Sequence, residues 1–395
     1  MKRSSYFISA RSVSADLLAS ELILALSDQY QRLDAYGILG EWSGRTRAHK
    51  IGDLSKCLNL SLHDQEILNP EGLQFRTEFL HQISETPFSL AILVGYSYFH
   101  HELAALFKKL SVPVVLYEMT PTAAIGSLNL DTVRARIDVA LGVTPQGSDF
   151  IKKAGVPYFY IGSPHKDRVD RVVVGPASLG LRNDLPLITL FPGGRAEGVE
   201  ASFPVFRSLA ERFAEDSKVQ VVICIAEMLG KDAETRYRGK SLEQITEELG
   251  QHKNSIKLVV GMHLELLSLS RLAICGAGAI TMECGLFGVP ALSLYTEHES
   301  KAEGAASARP LYSLLNQSTG HALIAEAPAN TPLDSLYKKA RELFAEGPQR
   351  ENTLKGLQEF KRDLQGFAAE NAAAYIGREV GRWQQSKKPK DSKTA

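Results

Sequence analysis

Cysteine is scarce in this chain and poorly spaced for chemistry. Four occur in 395 residues, at Cys57, Cys224, Cys275 and Cys284. No two form a C-x-x-C pair, which argues against a zinc knuckle or a disulfide framework and for reduced thiols in apolar surroundings. An excess of either charge is missing too. Lys+Arg and Asp+Glu stand at 45 each, so no global field draws nucleic acid or an anionic bilayer, and nucleic acid is not expected as a partner. No segment approaches the ~18 apolar residues of a membrane span. The start, MKRSSYFISARSVSADLL, is basic but lacks the continuous apolar stretch of a secretory signal. These absences lead us to expect a cytoplasmic protein; no metal and no cofactor is expected.

What is present is core material. The chain is 44% hydrophobic and 23% charged, a globular composition at a length that suits two domains. Short apolar runs alternate with amphipathic stretches. SYFISA, AYGILG, FSLAILVGY, VPVVLYEM, IDVALGVT and VPYFYIG read as strands, with helices such as ADLLASELILALSDQY and FHHELAALFKKL between them. A second series begins near Leu185 with LPLITLFPGGR, KVQVVICIA, SIKLVVG, RLAICGAG and VPALSLY. Such alternation predicts α/β architecture with two parallel sheets covered on both faces, two Rossmann-like domains facing a cleft. The expected boundaries are 1–172 and 185–360, joined by the Gly-rich segment RVVVGPASLGLRND. A tail helix running from about Ser335 to Trp383 is expected to pack back on the first domain with its end, 361–385. The lysine-rich stretch 386–395 is expected to be disordered.

Two stretches suggest a ligand. In FPGGRAEGVE a strand runs into Gly193-Gly194 and then a helix, which presents unpaired N–H groups and the positive end of the dipole to an anion. Arg195 follows and could hold a phosphate bidentately. The alternative is an ordinary strand–helix turn with a surface arginine. In CGAGAITMECGLFGVP, Gly278 and Ala279 allow close backbone approach, and Thr281 could cap the helix or bond a phosphate. Glu283 falls in the first helical turn, where its carboxylate could accept both ribose hydroxyls of a nucleotide. The alternative is a capping-region glutamate with no ligand.

These residues resemble, along roughly residues 7 to 380, the lipid-A-disaccharide synthases, glycosyltransferases of the two-domain GT-B architecture. FPGGR is similar to the family's L-P-G-S-R, and AGAITMECGLFGVPA to its S-G-T-A-T-L-E-A segment, with Gly278, Thr281 and Glu283 in place. Arg11-Ser12-Val13-Ser14-Ala15-Asp16 resembles G-E-x-S-G-D, and Gly37-Ile38-Leu39-Gly40 resembles G-I-G-G. The resemblance therefore implies Ser14, Asp16 and Gly40 on the acceptor side. It implies an inverting transfer of an acylated glucosamine from a UDP-sugar to an acylated, lipid-linked glucosamine 1-phosphate in lipid A biosynthesis. It also implies peripheral contact with the inner face of the inner membrane, and it allows a homo-oligomer.

The sequence departs from the family pattern mainly in the first half. The family's D-x-P-D-F-N motif aligns with Gly95–His100 and puts Tyr98 where the presumed catalytic aspartate stands. A phenol with a pKa of ~10 is a poor base, whereas His100, two positions on, has a suitable intrinsic pKa. His100 and Tyr98 are thus the catalytic candidates. The histidine of the family's G-H-P is replaced by Ser163, with His165 displaced. Two alternatives stay open: a nucleotide-sugar-binding homologue with impaired or re-specialised catalysis, and a UDP-GlcNAc epimerase of similar build.

Overall fold

Buried apolar tetrads and pentads make the strands. Leu90–Val94, Val114–Tyr117, Val139–Gly142 and Leu187–Phe191 are buried at every position, as expected of parallel strands covered on both faces. The computed structural model describes residues 4–54, 79, 81–117, 129–145, 149–193, 196–226, 242–295 and 311–386. The chain divides into two units, Met1–Pro164 with Gln365–Ala395, and His165–Leu364.

The first unit carries seven strands: β1 (Ser4–Ala10), β2 (Leu33–Leu39), β3 (His49–Asp53), β4 (Leu90–Val94), β5 (Val114–Tyr117), β6 (Val139–Gly142) and β7 (Tyr158–Tyr160). They lie in the order β3-β2-β1-β4-β5-β6-β7 and every pair is parallel. The order reverses between β1 and β4. Gly37 is required in β2, because a Cβ there would stand 1.9 Å from the Ile8 carbonyl oxygen. Ser12 caps the helix Val13–Gln29 by accepting from the Ala15 N–H at 3.3 Å. Ser97 caps Tyr98–Lys109 in the same way through the His100 N–H. These side chains satisfy N–H groups that a helix start leaves unpaired.

The second unit has six strands: β8 (Leu187–Phe191), β9 (Gln220–Ile225), β10 (Ile256–Val260), β11 (Ser270–Gly276), β12 (Ala291–Tyr295) and β13 (Ala325–Pro328). Their order is β10-β9-β8-β11-β12-β13, all parallel. One face is filled by Phe203, Phe206, Phe213 and Leu336, the other by Leu266, Met282, Leu315 and Leu357.

Two edge strands, β3 and β13, were not among the expected ones. Their sequences, HKIGD and AEAP, are polar and half-exposed, so they carry no apolar run. The single long tail helix is also corrected. Three helices stand there, Leu333–Phe344, Pro348–Asp363 and Ala368–Ser386. Gly347 at φ 149° and Phe367 at φ 62° break the line, since neither conformation continues a right-handed helix. The last helix belongs to the first unit. Its Ala372, Ala373 and Ile376 share the core of Leu18, Leu22 and Leu26, and its Gly377 leaves room for the Tyr30 ring.

Among the described residues no helix is long and apolar enough to cross a membrane, and no His, Cys, Asp and Glu group is arranged to hold a metal ion.

Candidate functional site

In the second unit the strand order reverses between β8 and β11. The two neighbours are in register, Phe191 beside Cys275, so both glycine turns leave the same edge of the sheet at one crevice. Such crevices, outside the carboxyl ends of strands at a switch point, are where open α/β sheets bind ligands. Gly193 sits at φ 128°, a conformation open to glycine and strained for other residues. Gly194 and Arg195 lie outside the described residues. On the β11 side Gly278 is exposed, and a Cβ there would meet no described atom within 4 Å. Its backbone is therefore accessible to a ligand. Ala279 is the N-cap of the helix Ile280–Phe287 and makes no side-chain cap bond.

Thr281 does not face a ligand. It is fully buried; its hydroxyl donates to the Gly278 carbonyl at 2.8 Å and accepts the Leu315 N–H at 3.1 Å. The one hydroxyl proton is committed, so the expected phosphate contact is corrected to a staple that holds the Gly278 turn against the helix Leu314–Thr319.

Glu283 lies deeper than a first-turn glutamate is expected to. It is 5% exposed and its carboxylate stands between two histidines. His165 Nδ1 is 3.3 Å from Oε1 and His263 Nε2 is 3.6 Å from Oε2. Arg168 Nη2 lies 3.1 Å from the same His165 Nδ1. Burial alone would raise the Glu283 pKa. The His165 hydrogen bond and the charges of His165, His263 and Arg168 outweigh it and hold the carboxyl below its ordinary value, so it remains a carboxylate. Two oxygens offer about four lone-pair directions, and two of these face the imidazoles. The other two are not engaged by either imidazole. The positioning set was missed in the sequence because its members are far apart: 118 positions separate His165 from Glu283. The displaced histidine after Gly162-Ser163-Pro164 was the one signal that could have found it.

The first unit gives its expected residues different roles. Asp16 is 1% exposed and four donors converge on it. Oδ1 accepts the Gly40 N–H at 3.0 Å and the Ser43 hydroxyl; Oδ2 accepts the N–H of Trp42 at 2.8 Å and of Ser43 at 3.3 Å. Its hydrogen-bonding capacity is used in building the turn after β2, leaving none for an acceptor sugar. Gly40 is part of that turn, since a Cβ there would lie 2.5 Å from the Asp16 carboxylate. Ser14 belongs to the helix Val13–Gln29, with its side chain outside the described residues.

His100 is likewise a core residue and is withdrawn as a base. It is 1% exposed. Nδ1 lies 3.0 Å from the Gly95 carbonyl, which only accepts, so Nδ1 carries the proton and donates. Nε2, 2.9 Å from Ser9 Oγ, accepts the hydroxyl proton. Burial pushes the pKa down to about 4, with the Gly95 hydrogen bond opposing and the Arg11 charge adding to the shift. This imidazole is neutral at physiological pH, with both nitrogens occupied and no access for a hydroxyl. Tyr98 opens the helix Tyr98–Lys109, its side chain outside the described residues.

The family model of lipid-A-disaccharide synthetase matches residues 6–298. A lipid-A-disaccharide synthase of Myxococcus xanthus is 26% identical over 374 residues, covering 92% of this chain and 94% of its own. Among solved structures, the UDP-GlcNAc 2-epimerase of Neisseria meningitidis bound to UDP-GlcNAc has a TM-score of 0.60 at 12% identity, covering 97% of this chain and 100% of that one. The glycotransferase of kitacinnamycin has a TM-score of 0.62 at 14% identity, covering 96% and 99%. At these identities the structural likeness speaks to the fold, two Rossmann-like parallel-sheet domains of GT-B type. With a family model matched over most of its length and a relative aligned nearly end to end, the chain belongs to the lipid-A-disaccharide synthetase family, glycosyltransferases of lipid A biosynthesis.

Proposed function

We propose that the second unit holds a UDP-sugar and that the protein transfers its acylated glucosamine, with inversion, to an acylated glucosamine 1-phosphate. The observation that carries this reading is the crevice between β8 and β11, where the Gly193 and Gly278 turns leave adjacent strands and the Glu283 carboxylate is held ionised. Glu283 accepts the ribose hydroxyls. The diphosphate lies against the exposed Gly278 backbone and the start of Ile280–Phe287, where the dipole favours negative charge. Gly193 and Ala279 and, from their places in the sequence alone, Gly194 and Arg195 complete that anion cradle. A departing UDP stabilised in this way needs no further cation. Acyl chains on donor and acceptor fit a protein working at the cytoplasmic face of the inner membrane, bound peripherally.

A second reading is favoured by a specific observation. The family's base position holds Tyr98, and the neighbouring His100 is sealed in the core. A protein that binds the nucleotide sugar and transfers slowly or not at all fits those two facts. Incubation with a UDP-diacylglucosamine and its monosaccharide phosphate acceptor, followed by mass spectrometry, separates the two. Disaccharide plus UDP supports the transferase; bound but unconsumed donor supports the second reading. Conversion of UDP-GlcNAc alone would instead support an epimerase.

A further inference from the structure

The set around Glu283 contains a conflict. Arg168 can only donate, so its contact at 3.1 Å requires His165 Nδ1 to be an unprotonated acceptor. The carboxylate can only accept, so the contact at 3.3 Å requires the same nitrogen to carry a proton. No single protonation state of His165 satisfies both neighbours. His263 stands on the other oxygen and is half exposed, 51% against 6% for the Glu283 side chain. The charged and titratable groups that act on Glu283 among the described residues are His165 and Arg168 on the helix Pro164–Asp170, and His263 on the helix His263–Leu269. The Cys284 thiol beside it is pushed far up, burial being the largest cause, and stays neutral.

From this geometry we propose that His165 and His263 are positioning residues for the nucleotide, clamping the Glu283 carboxylate between them and coupling the binding of an anionic nucleotide sugar to the uptake of a proton. The inference rests on the UDP-sugar reading above. A diphosphate brought to the adjoining turn draws the Arg168 guanidinium toward its own oxygens. His165 Nδ1 is then free to take a proton and donate it to Oε1, which fixes the carboxylate for the ribose. A protonated His263 adds a second positive charge beside the incoming anion. Both effects have the same sign: the ligand binds the protonated form better, so affinity rises as pH falls. Uptake of one proton gives at most a tenfold change in Kd per pH unit.

Calorimetric titration with UDP-N-acetylglucosamine from about pH 6 to about pH 8.5 tests this. That ligand's doubly esterified diphosphate does not titrate in the window, so the slope belongs to the protein. The wild-type Kd is expected to rise about three- to tenfold across it. His165→Asn places an amide N–H near Nδ1, and His263→Gln places one near Nε2, and neither group titrates. The double variant is expected to bind with a flat profile. Wild-type binding that is already flat would overturn the inference and leave the nucleotide-sugar reading standing. A double variant that keeps the wild-type slope would also overturn it. No binding at any pH would overturn the nucleotide-sugar reading itself, and this inference with it.

Discussion

Acid should unlock the first unit through His100. The imidazole is sealed in the core with its pKa lowered from the ordinary 6.5 to about 4. The sign follows from where the proton goes. Between those two values the unfolded chain binds a proton that the native state refuses, so stability is full above the unfolded value and is lost as pH falls toward the folded one. A shift of that size removes about 2 kcal/mol at about pH 5 relative to neutral pH. His101, lowered to about 4 chiefly by its own burial and next by Arg136, acts in the same direction. Its part cancels when wild type is compared with His100→Asn. The asparagine amide can still donate to Gly95, while the Ser9 hydroxyl loses its acceptor at every pH. The variant should therefore be weaker at neutral pH yet lose about 2 kcal/mol less on acidification. The chain's two tryptophans, Trp42 and Trp383, both lie in the first unit, so urea unfolding followed by tryptophan fluorescence reads that unit. Equal acid sensitivity in the two proteins would refute the buried, neutral assignment.

Other substitutions test separate parts of the account. Gly40→Ala drives a Cβ to within 2.5 Å of the Asp16 carboxylate and should destabilise the first unit by about 1–3 kcal/mol in the same fluorescence assay. Thr281→Val keeps the volume but leaves the Leu315 N–H without its hydroxyl acceptor and takes one of two donors, the other being the Thr281 N–H, from the Gly278 carbonyl. It should cost the second unit about 1–3 kcal/mol, seen as faster hydrogen exchange in Ile280–Phe287. Cys224, Cys275 and Cys284 are buried and free, and burial first, then the Glu265 charge, pushes the Cys224 thiol up to about 12. All three should escape a thiol reagent in the native protein, as peptide mass mapping would show.

The sheets were legible because buried parallel strands are written as unbroken apolar runs: LAILV and ALSLY announce themselves locally. The edge strands β3 and β13 were not, since HKIGD and AEAP hold no apolar run. The turn CGAGAITME was legible as a ligand-bearing corner, because glycine and a first-turn acid have local meanings. What Thr281 and His100 do was hidden. Each is decided by one distant partner, Leu315 for the threonine and Ser9 for the histidine, 34 and 91 positions away. A histidine pair at a strand–helix turn reads the same whether it opens to a cleft or seals a core. The Asp16 cluster shows the same limit: the carboxylate was visible, while the turn that saturates it lies 24 to 27 positions on.

The role of Glu283 is best tested by titrating UDP into the wild-type protein and into Glu283→Ala by calorimetry. A carboxylate that accepts both ribose hydroxyls contributes about 1.5–3 kcal/mol through charge-assisted hydrogen bonds, so the alanine variant should bind about ten- to hundredfold more weakly. Equal affinity in the two proteins would mean that the nucleotide does not sit on the carboxylate between His165 and His263.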